Sequence, residues 1–218
     1  MNVPAQLTVP YRPSLKLIAP NEPDYEMASN LKRYLNQLTE DAQGIISAII
    51  LFDYCSANKC VGLWSDWQFM ACRDCSIKIF NCWITLEKIK NIYGKVKIYR
   101  PLVDGAKIRK ARKDFDLLFP FSQKMRTAAA HPEFVPNPDK DISVTKDQSG
   151  IWPILSQLNQ VTITGLINGH NYICTMDGVA AYQNMHPDTG ISLISIVREV
   201  FAAFEKLDPA YGIMPRRS

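Results

Sequence analysis

From Asp24 onward apolar positions recur at the spacing of an amphipathic helix, with Met27, Leu31, Tyr34, Leu35 and Leu38 on one stripe. A second apolar stretch, Ile45 to Tyr54, follows, so the pattern predicts one bent helix or two consecutive ones with Gly44 as the weak point. The next helix starts near Ser65 or Asp66, either of which can cap free amides, and runs to about Tyr93 before Gly94 ends it. Its stripe of Cys72, Cys75, Ile79, Cys82, Leu86, Ile89 and Tyr93 alternates steps of three and four, which suits packing along a bundle. A further helix covers about Leu102 to Phe119. Pro120 then kinks or restarts it as a short segment ending at His131, because Pro132 disfavours helical geometry in its predecessor. Residues 24–131 therefore read as an all-helical body of four or five helices.

The flanks have a different texture. Residues 1–23 hold five prolines and little helical periodicity, which predicts an extended arm that drapes over the body or reaches a neighbouring subunit. Pro132 to Asp147 is polar and proline-rich, as expected of a linker or long surface loop. Val161–Leu166, a turn at Asn168-Gly169, Asn171–Thr175, a turn at Asp177-Gly178 and Val179–Gln183 form a short antiparallel meander. The last helix begins after Asp188 or Thr189 and places Leu193, Ile196, Val197, Val200, Phe204 and Leu207 on one face. The expected fold is mainly α: a four- to five-helix bundle with a small C-terminal meander and a final amphipathic helix, residues 132–218 packing back on the bundle.

Composition narrows the class. The chain has 218 residues, 47% of them hydrophobic and 21% charged, which is enough apolar mass for a core and excludes a disordered, collagen-like or disulfide-stapled chain. The longest apolar run, Ile45 to Phe52, falls well short of the roughly 20 residues of a membrane span. Prolines interrupt the first 20 residues where a secretory signal would carry its apolar core, so the expected location is the cytoplasm and the six cysteines are expected as thiols. Cys72-x-x-Cys75 with Cys55 and Cys60 invites a zinc reading, but Cys72, Cys75 and Cys82 share a helical stripe, where thiols act as small hydrophobes. No metal and no cofactor are expected. Trp64, Trp67, Trp83 and Trp152 read as core anchors, and His170 and His186 as turn residues.

Charge changes the picture locally rather than overall. The chain's net charge is only +4, yet Lys107, Arg109, Lys110, Arg112, Lys113, Lys124 and Arg126 face only Asp114 and Asp116 between positions 107 and 126. Such a strip attracts a phosphate backbone in a salt-dependent way, or it is simply a solvated helix face. It leads to KMRTAAAHPEF, Lys124 to Phe134, in which Arg126 and His131 flank small residues. In a regular helix the two side chains would point about 140° apart, so they converge only if His131 lies past the helix end. The run Ala128 to Ala130 permits close approach of another helix or chain. Arg73 and Asp74 sit mid-helix: Asp74 pairs with Lys78 four residues on, or, if this segment faces Arg126 and His131, it orients the histidine or holds the arginine.

The segment Arg126-Thr-Ala-Ala-Ala-His131, set in a helical layout over residues 24–131, resembles the HEPN superfamily, marked by an arginine followed four to six residues later by a histidine. In that family the arginine is most often followed by Asn, Asp or His; here Thr127 stands in that place. The resemblance implies a bundle that dimerises, an RNA substrate and metal-independent cleavage, sometimes as the toxin of a pair with an antitoxin-type protein. It also implies roles: Arg126 stabilises charge on the phosphorus and His131 moves the proton of the 2′-hydroxyl or leaving group. The residue chemistry suits both, since imidazole titrates near neutrality and a guanidinium forks across two phosphate oxygens. Two alternatives stand beside it. His131 also reads as a helix-end histidine on exposed carbonyls with Arg126 solvated, and the chain as a non-catalytic helical dimerisation or interaction module.

Overall fold

The longest apolar periodicity becomes the longest helix. The computed structural model describes residues 7–15, 20–58, 63–130, 165–176 and 179–208. In it α1 runs unbroken from Tyr25 to Ala57. Gly44 does not interrupt it, because that position serves helix contact: the aliphatic stem of Lys78 lies over it, and a Cβ there would meet three of its carbons at 3.2 Å. Leu31, Leu35, Leu38, Ile45, Ile49 and Phe52 are buried, whereas Met27 is exposed and Ala28 takes the inward position.

Helix α2 spans Leu63–Ile92, starting slightly before the expected cap. It runs antiparallel to α1, as the cross-links show in sequence: Gln68 donates to Ser56 Oγ at 2.8 Å, Lys78 covers Gly44, and Thr85 faces Asp41. The inward stripe is as expected, Cys72, Cys75, Ile79, Cys82, Leu86 and Ile89 each being at most 1% exposed. Burial pushes the Cys72, Cys75 and Cys82 thiols up, so they stay protonated and pack as apolar groups.

A 3-10 turn, Tyr93–Lys95, ends the hairpin. The next helix, α3, begins at Gly105 rather than Leu102, since residues 96–103 fold into turns closed by Arg100 N–H to Val96 O and Val103 N–H to Tyr99 O. Asp104 caps α3 (Gly105–Leu118), accepting from the amides of Ala106 and Lys107. After Pro120 the short helix α4, Ser122–Ala130, restarts and packs on α2 through Met125, Ala128 and Ala129.

Three antiparallel strands follow in the order β1 (Leu166–Asn168), β2 (Asn171–Met176), β3 (Val179–Asn184). The meander is as expected in topology, but β1 starts at Leu166, where Val161–Leu166 was expected; residues 161–164 and the Asp177-Gly178 turn lie outside the described residues. Gly169 in the β1–β2 turn has φ +58°, a conformation that other residues seldom adopt. The sheet joins the bundle through Ser76 Oγ, which donates to Gln183 Oε1 at 2.9 Å, and through Cys174 against Met125.

The final helix α5, Pro187–Ala202, starts earlier than expected because His186, not Asp188 or Thr189, is its N-cap. Leu193, Ile196, Val197 and Val200 are buried against α1 and α3, and Phe204 and Leu207 continue the same apolar surface beyond the helix end. The described part of the arm lies against the body: Leu7 packs with Ile46 and Ile194, and Ser14 N–H donates to the Asp208 carboxylate. The result among the described residues is five α-helices and a small sheet, with no helix long and apolar enough to cross a membrane.

Asp41 is the one carboxylate fully buried in the α1–α2 seam among the described residues. Burial raises its pKa, partly offset by the Gln37 hydrogen bond and the Lys78 ammonium. The folded protein therefore holds this proton more tightly than the unfolded chain, and the stability it contributes, complete in acid, is lost as pH rises through the folded value. Asp41→Asn removes that loss. Its urea midpoint relative to wild type should rise between about pH 4 and pH 7. A relative fall would show that the ionised carboxylate is net stabilised by Lys78.

Candidate functional site

Helix α4 exists because Pro120 stops α3 and Ser122 N–H finds the Phe119 carbonyl, which re-nucleates a turn. Its buried face is Met125, Ala128 and Ala129, so Lys124, Arg126, Thr127 and Ala130 are left half-buried at the surface. The Arg126 guanidinium lies over the Phe80 ring, 5.5 Å from its centroid. Phe80 in turn stacks with Trp83 at 6.0 Å and 7° between planes. On Trp83 rests a second guanidinium, that of Arg112, 4.8 Å from the centroid. A cation–aromatic–aromatic–cation row thus crosses α4, α2 and α3.

This row links Arg126 in space to one member of the basic strip, Arg112. Phe80 carries no reading from the sequence and Trp83 reads there only as a core anchor, because both stand off the inward stripe of α2. The available signal was their spacing of three, which puts both rings on one side of a helix. Trp83 is half-buried and packs against the core, whereas Trp67 is 42% exposed and is not the core anchor expected of it; Trp152 and the Trp64 side chain lie outside what is described.

Arg73 has a defined job. Its Nε and Nη2 both donate to the carbonyl of Ala129, at 3.1 and 3.0 Å, and so tie the last turn of α4 to α2. Asp74 is exposed, and among the described residues it pairs with neither Lys78 nor Arg126. Lys78 instead crosses to α1, where its charge faces Asp41. The Thr127 hydroxyl donates to the Gln123 carbonyl at 3.0 Å, a bond within its own helix. His131 lies outside the described residues, and with it the convergence of Arg126 and His131.

The basic residues of α3 divide by role. Lys107 reaches the Ala202 carbonyl at the end of α5, and Arg109 donates to the Tyr93 hydroxyl at 3.4 Å. Lys110 stands 3.6 Å from Asp114 and 3.8 Å from Glu199, at the edge of an open groove of about 450 Å³ between α3 and α5. Arg112 is only 8% exposed: Glu87 contacts its Nε at 2.8 Å, Asp116 its Nη1, and the same Asp116 accepts from Trp83 Nε1. Lys113 is exposed. The basic residues of the strip with neither a carboxylate nor a backbone carbonyl as partner among the described residues are thus Arg109 and Lys113 on α3, with Lys124 and Arg126 on α4, whereas Lys110 stands between Asp114 and Glu199.

The five described cysteines are free and buried, and among the described residues no group of three His, Cys, Asp or Glu is placed to hold a metal ion. The chain matches no family model, no curated protein and no solved structure.

Arg112 therefore works as a buried clamp between α2 and α3. Arg112→Ala should cost about 2 kcal/mol in urea denaturation, since it empties the buried space over the Trp83 ring and removes the link between α2 and α3, while Glu87 keeps Lys90 at 3.0 Å. Lys113→Ala, one residue on and exposed, should stay within about 0.5 kcal/mol of wild type.

Proposed function

We propose that this chain is a HEPN-like, RNA-binding protein that acts as a dimer and cleaves RNA without a metal, Arg126 holding the phosphate and His131 moving the proton. One observation carries the reading. Arg126 is held over Phe80 at the surface of α4, next to a helix end that Arg73 ties down at Ala129, two residues before His131. An arginine braced by an aromatic face keeps its guanidinium edge free for phosphate oxygens and loses little entropy on binding. Lys124 on the same helix and Arg109 and Lys113 on α3 add the field that draws a polyanion in.

The reaction consistent with these groups is transesterification. His131 takes the proton of a 2′-hydroxyl, the 2′-oxygen attacks phosphorus, and the bond to the 5′-oxygen breaks. That oxygen takes a proton back from the His131 imidazolium or from water as it leaves, and a cyclic phosphate remains on the other fragment. Charge on the phosphorus is greatest midway, where a fixed guanidinium contributes most. Met70, at 64% exposure, offers an apolar contact on α2 that a second copy would cover.

A second reading, a helical interaction module without catalysis, is favoured by Thr127. Its hydroxyl is committed to Gln123, so it does not orient Arg126 as the polar residue of the family does.

The test is an RNA pool incubated in chelator at about pH 7 with wild type, His131→Ala and Arg126→Ala, reading fragment length and end chemistry. Cleavage by wild type only, with cyclic-phosphate ends, is the expected result. Activity surviving either substitution removes the mechanism, and salt-sensitive binding with intact RNA in all lanes selects the interaction module.

A further inference from the structure

Helix α2 carries a second row of side chains on the side away from its buried stripe. Met70, Asp74, Ile77, Asn81, Ile84 and Lys88 follow one another at steps of four and three, so they fall within about 80° of the helix circumference and run about 27 Å along it. Met70, Asp74 and Lys88 are exposed, and Ile77, Asn81 and Ile84 are half-buried. Neither Ile77 nor Ile84 joins an apolar cluster formed by the described residues, whereas Ile79, Leu86 and Ile89 of the same helix are in the core. Among the described residues the Asn81 side chain makes no hydrogen bond and Asp74 no ion pair. Lys88 has one weak contact, its ammonium lying 5.4 Å from the centre of the Tyr34 ring on α1. Thus α1 bounds the row on one side, and α4, with Arg126 over Phe80, bounds it on the other.

The row matches itself when reversed. Asn81 is its midpoint: Asp74 lies seven residues before it and Lys88 seven after, while Ile77 and Ile84 flank it at four and three. Two copies of α2 laid antiparallel across a two-fold axis at Asn81 set each Asp74 against Lys88 of the partner subunit, and each Ile77 beside Ile84 of the partner subunit. Asn81 meets its own copy, and two amides satisfy each other because each offers a donor and an acceptor. A parallel pair would instead put like charges together at both positions, so sign selects the antiparallel arrangement. Nothing in docking an unrelated protein requires a face to be complementary to itself, and this face is.

We propose that the outer row of α2 is a homodimer interface in which two copies pair antiparallel about Asn81. It gives the dimer of the RNA reading a place and an orientation, yet it rests on α2 alone and not on cleavage. The symmetry also has a consequence for the candidate site. A two-fold axis of this kind keeps both α4 helices on one face of the dimer, and Phe80 is next to Asn81, so the two Arg126 guanidiniums flank the axis together.

The experiment is analytical ultracentrifugation of the full chain and its variants at about 50 µM, with circular dichroism to show that each is folded and RNA cleavage scored separately. A helix pair of this length is at the small end of specific interfaces, so wild type should be dimeric there with a Kd in the micromolar range. Ile77→Asp should be monomeric with an unchanged helical spectrum. Asp74→Lys and Lys88→Asp, each present twice in the dimer, should each weaken it about tenfold, and together they should return it to within about threefold of wild type. Asn81→Cys should form a disulfide between copies on mild oxidation, against a quiet background because the five described cysteines are buried. A monomeric wild type would overturn the proposal. So would a dimer indifferent to Ile77→Asp, a double charge exchange that fails to restore pairing, or Asn81→Cys that cross-links no faster than wild type. A dimer with this behaviour that leaves RNA intact upholds the interface and removes only the cleavage, and a monomer that cuts RNA does the reverse.

Discussion

Everything in this structure hangs on the close seam between α1 and α2. Two helices of 33 and 30 residues can meet along most of their length only if small or pliable groups line the contact. Cys72, Cys75 and Cys82 on one side and Ala42, Ala48 and Gly44 on the other supply them. Each thiol buries apolar surface with little bulk, and Gly44 gives the Lys78 stem a channel across the seam. Asp41 lies in the same contact at an electrostatic disadvantage, eased by Gln37 and Lys78. The other elements are attached to this hairpin: α4 to α2, α5 to α1 and α3, the sheet to α2 through Ser76 and Gln183.

That hierarchy also explains the placement of cations. The same arginine type serves three purposes within a short distance. Arg73 finishes a helix, Arg112 is sealed between two carboxylates and an indole, and Arg126 lies at the surface on a phenyl ring. A linear count treats them alike, yet Arg73 is committed to the Ala129 carbonyl, Arg112 is buried, and Arg126 is half-buried with its guanidinium on the Phe80 ring. Positive charge that looks continuous from 107 to 126 in the sequence is thus divided by the fold into structural and surface-facing halves.

Helical periodicity was legible wherever burial is one-sided, which is why the α2 stripe and the bundle layout could be read directly. Boundaries were less so, since they depend on capping groups that compete locally. Asp104 caps α3 after a stretch of turns that residue types alone do not reveal, and His186 caps α5 although imidazole is not among the usual capping residues. Gly44 read as a break because a glycine's conformational freedom shows in the sequence and its neighbour across the seam does not. At the candidate site, Arg126 was visible by motif. The phenyl and indole rings between it and Arg112 were not, because pairing across three helices is tertiary information. His131 stands outside the described residues, so the motif contributes one of its two members to the geometry.

The sulfur content of the core has a practical side. Cys55, Cys72, Cys75, Cys82 and Cys174 are all buried, and burial raises each thiol above its ordinary range. A thiol in that condition reacts with an alkylating reagent only during the moments when its surroundings part. The chain consequently carries its own set of clocks: three on α2, one near the end of α1 and one in β2. Their separate labelling rates would report how often each layer breathes without any probe having to be introduced.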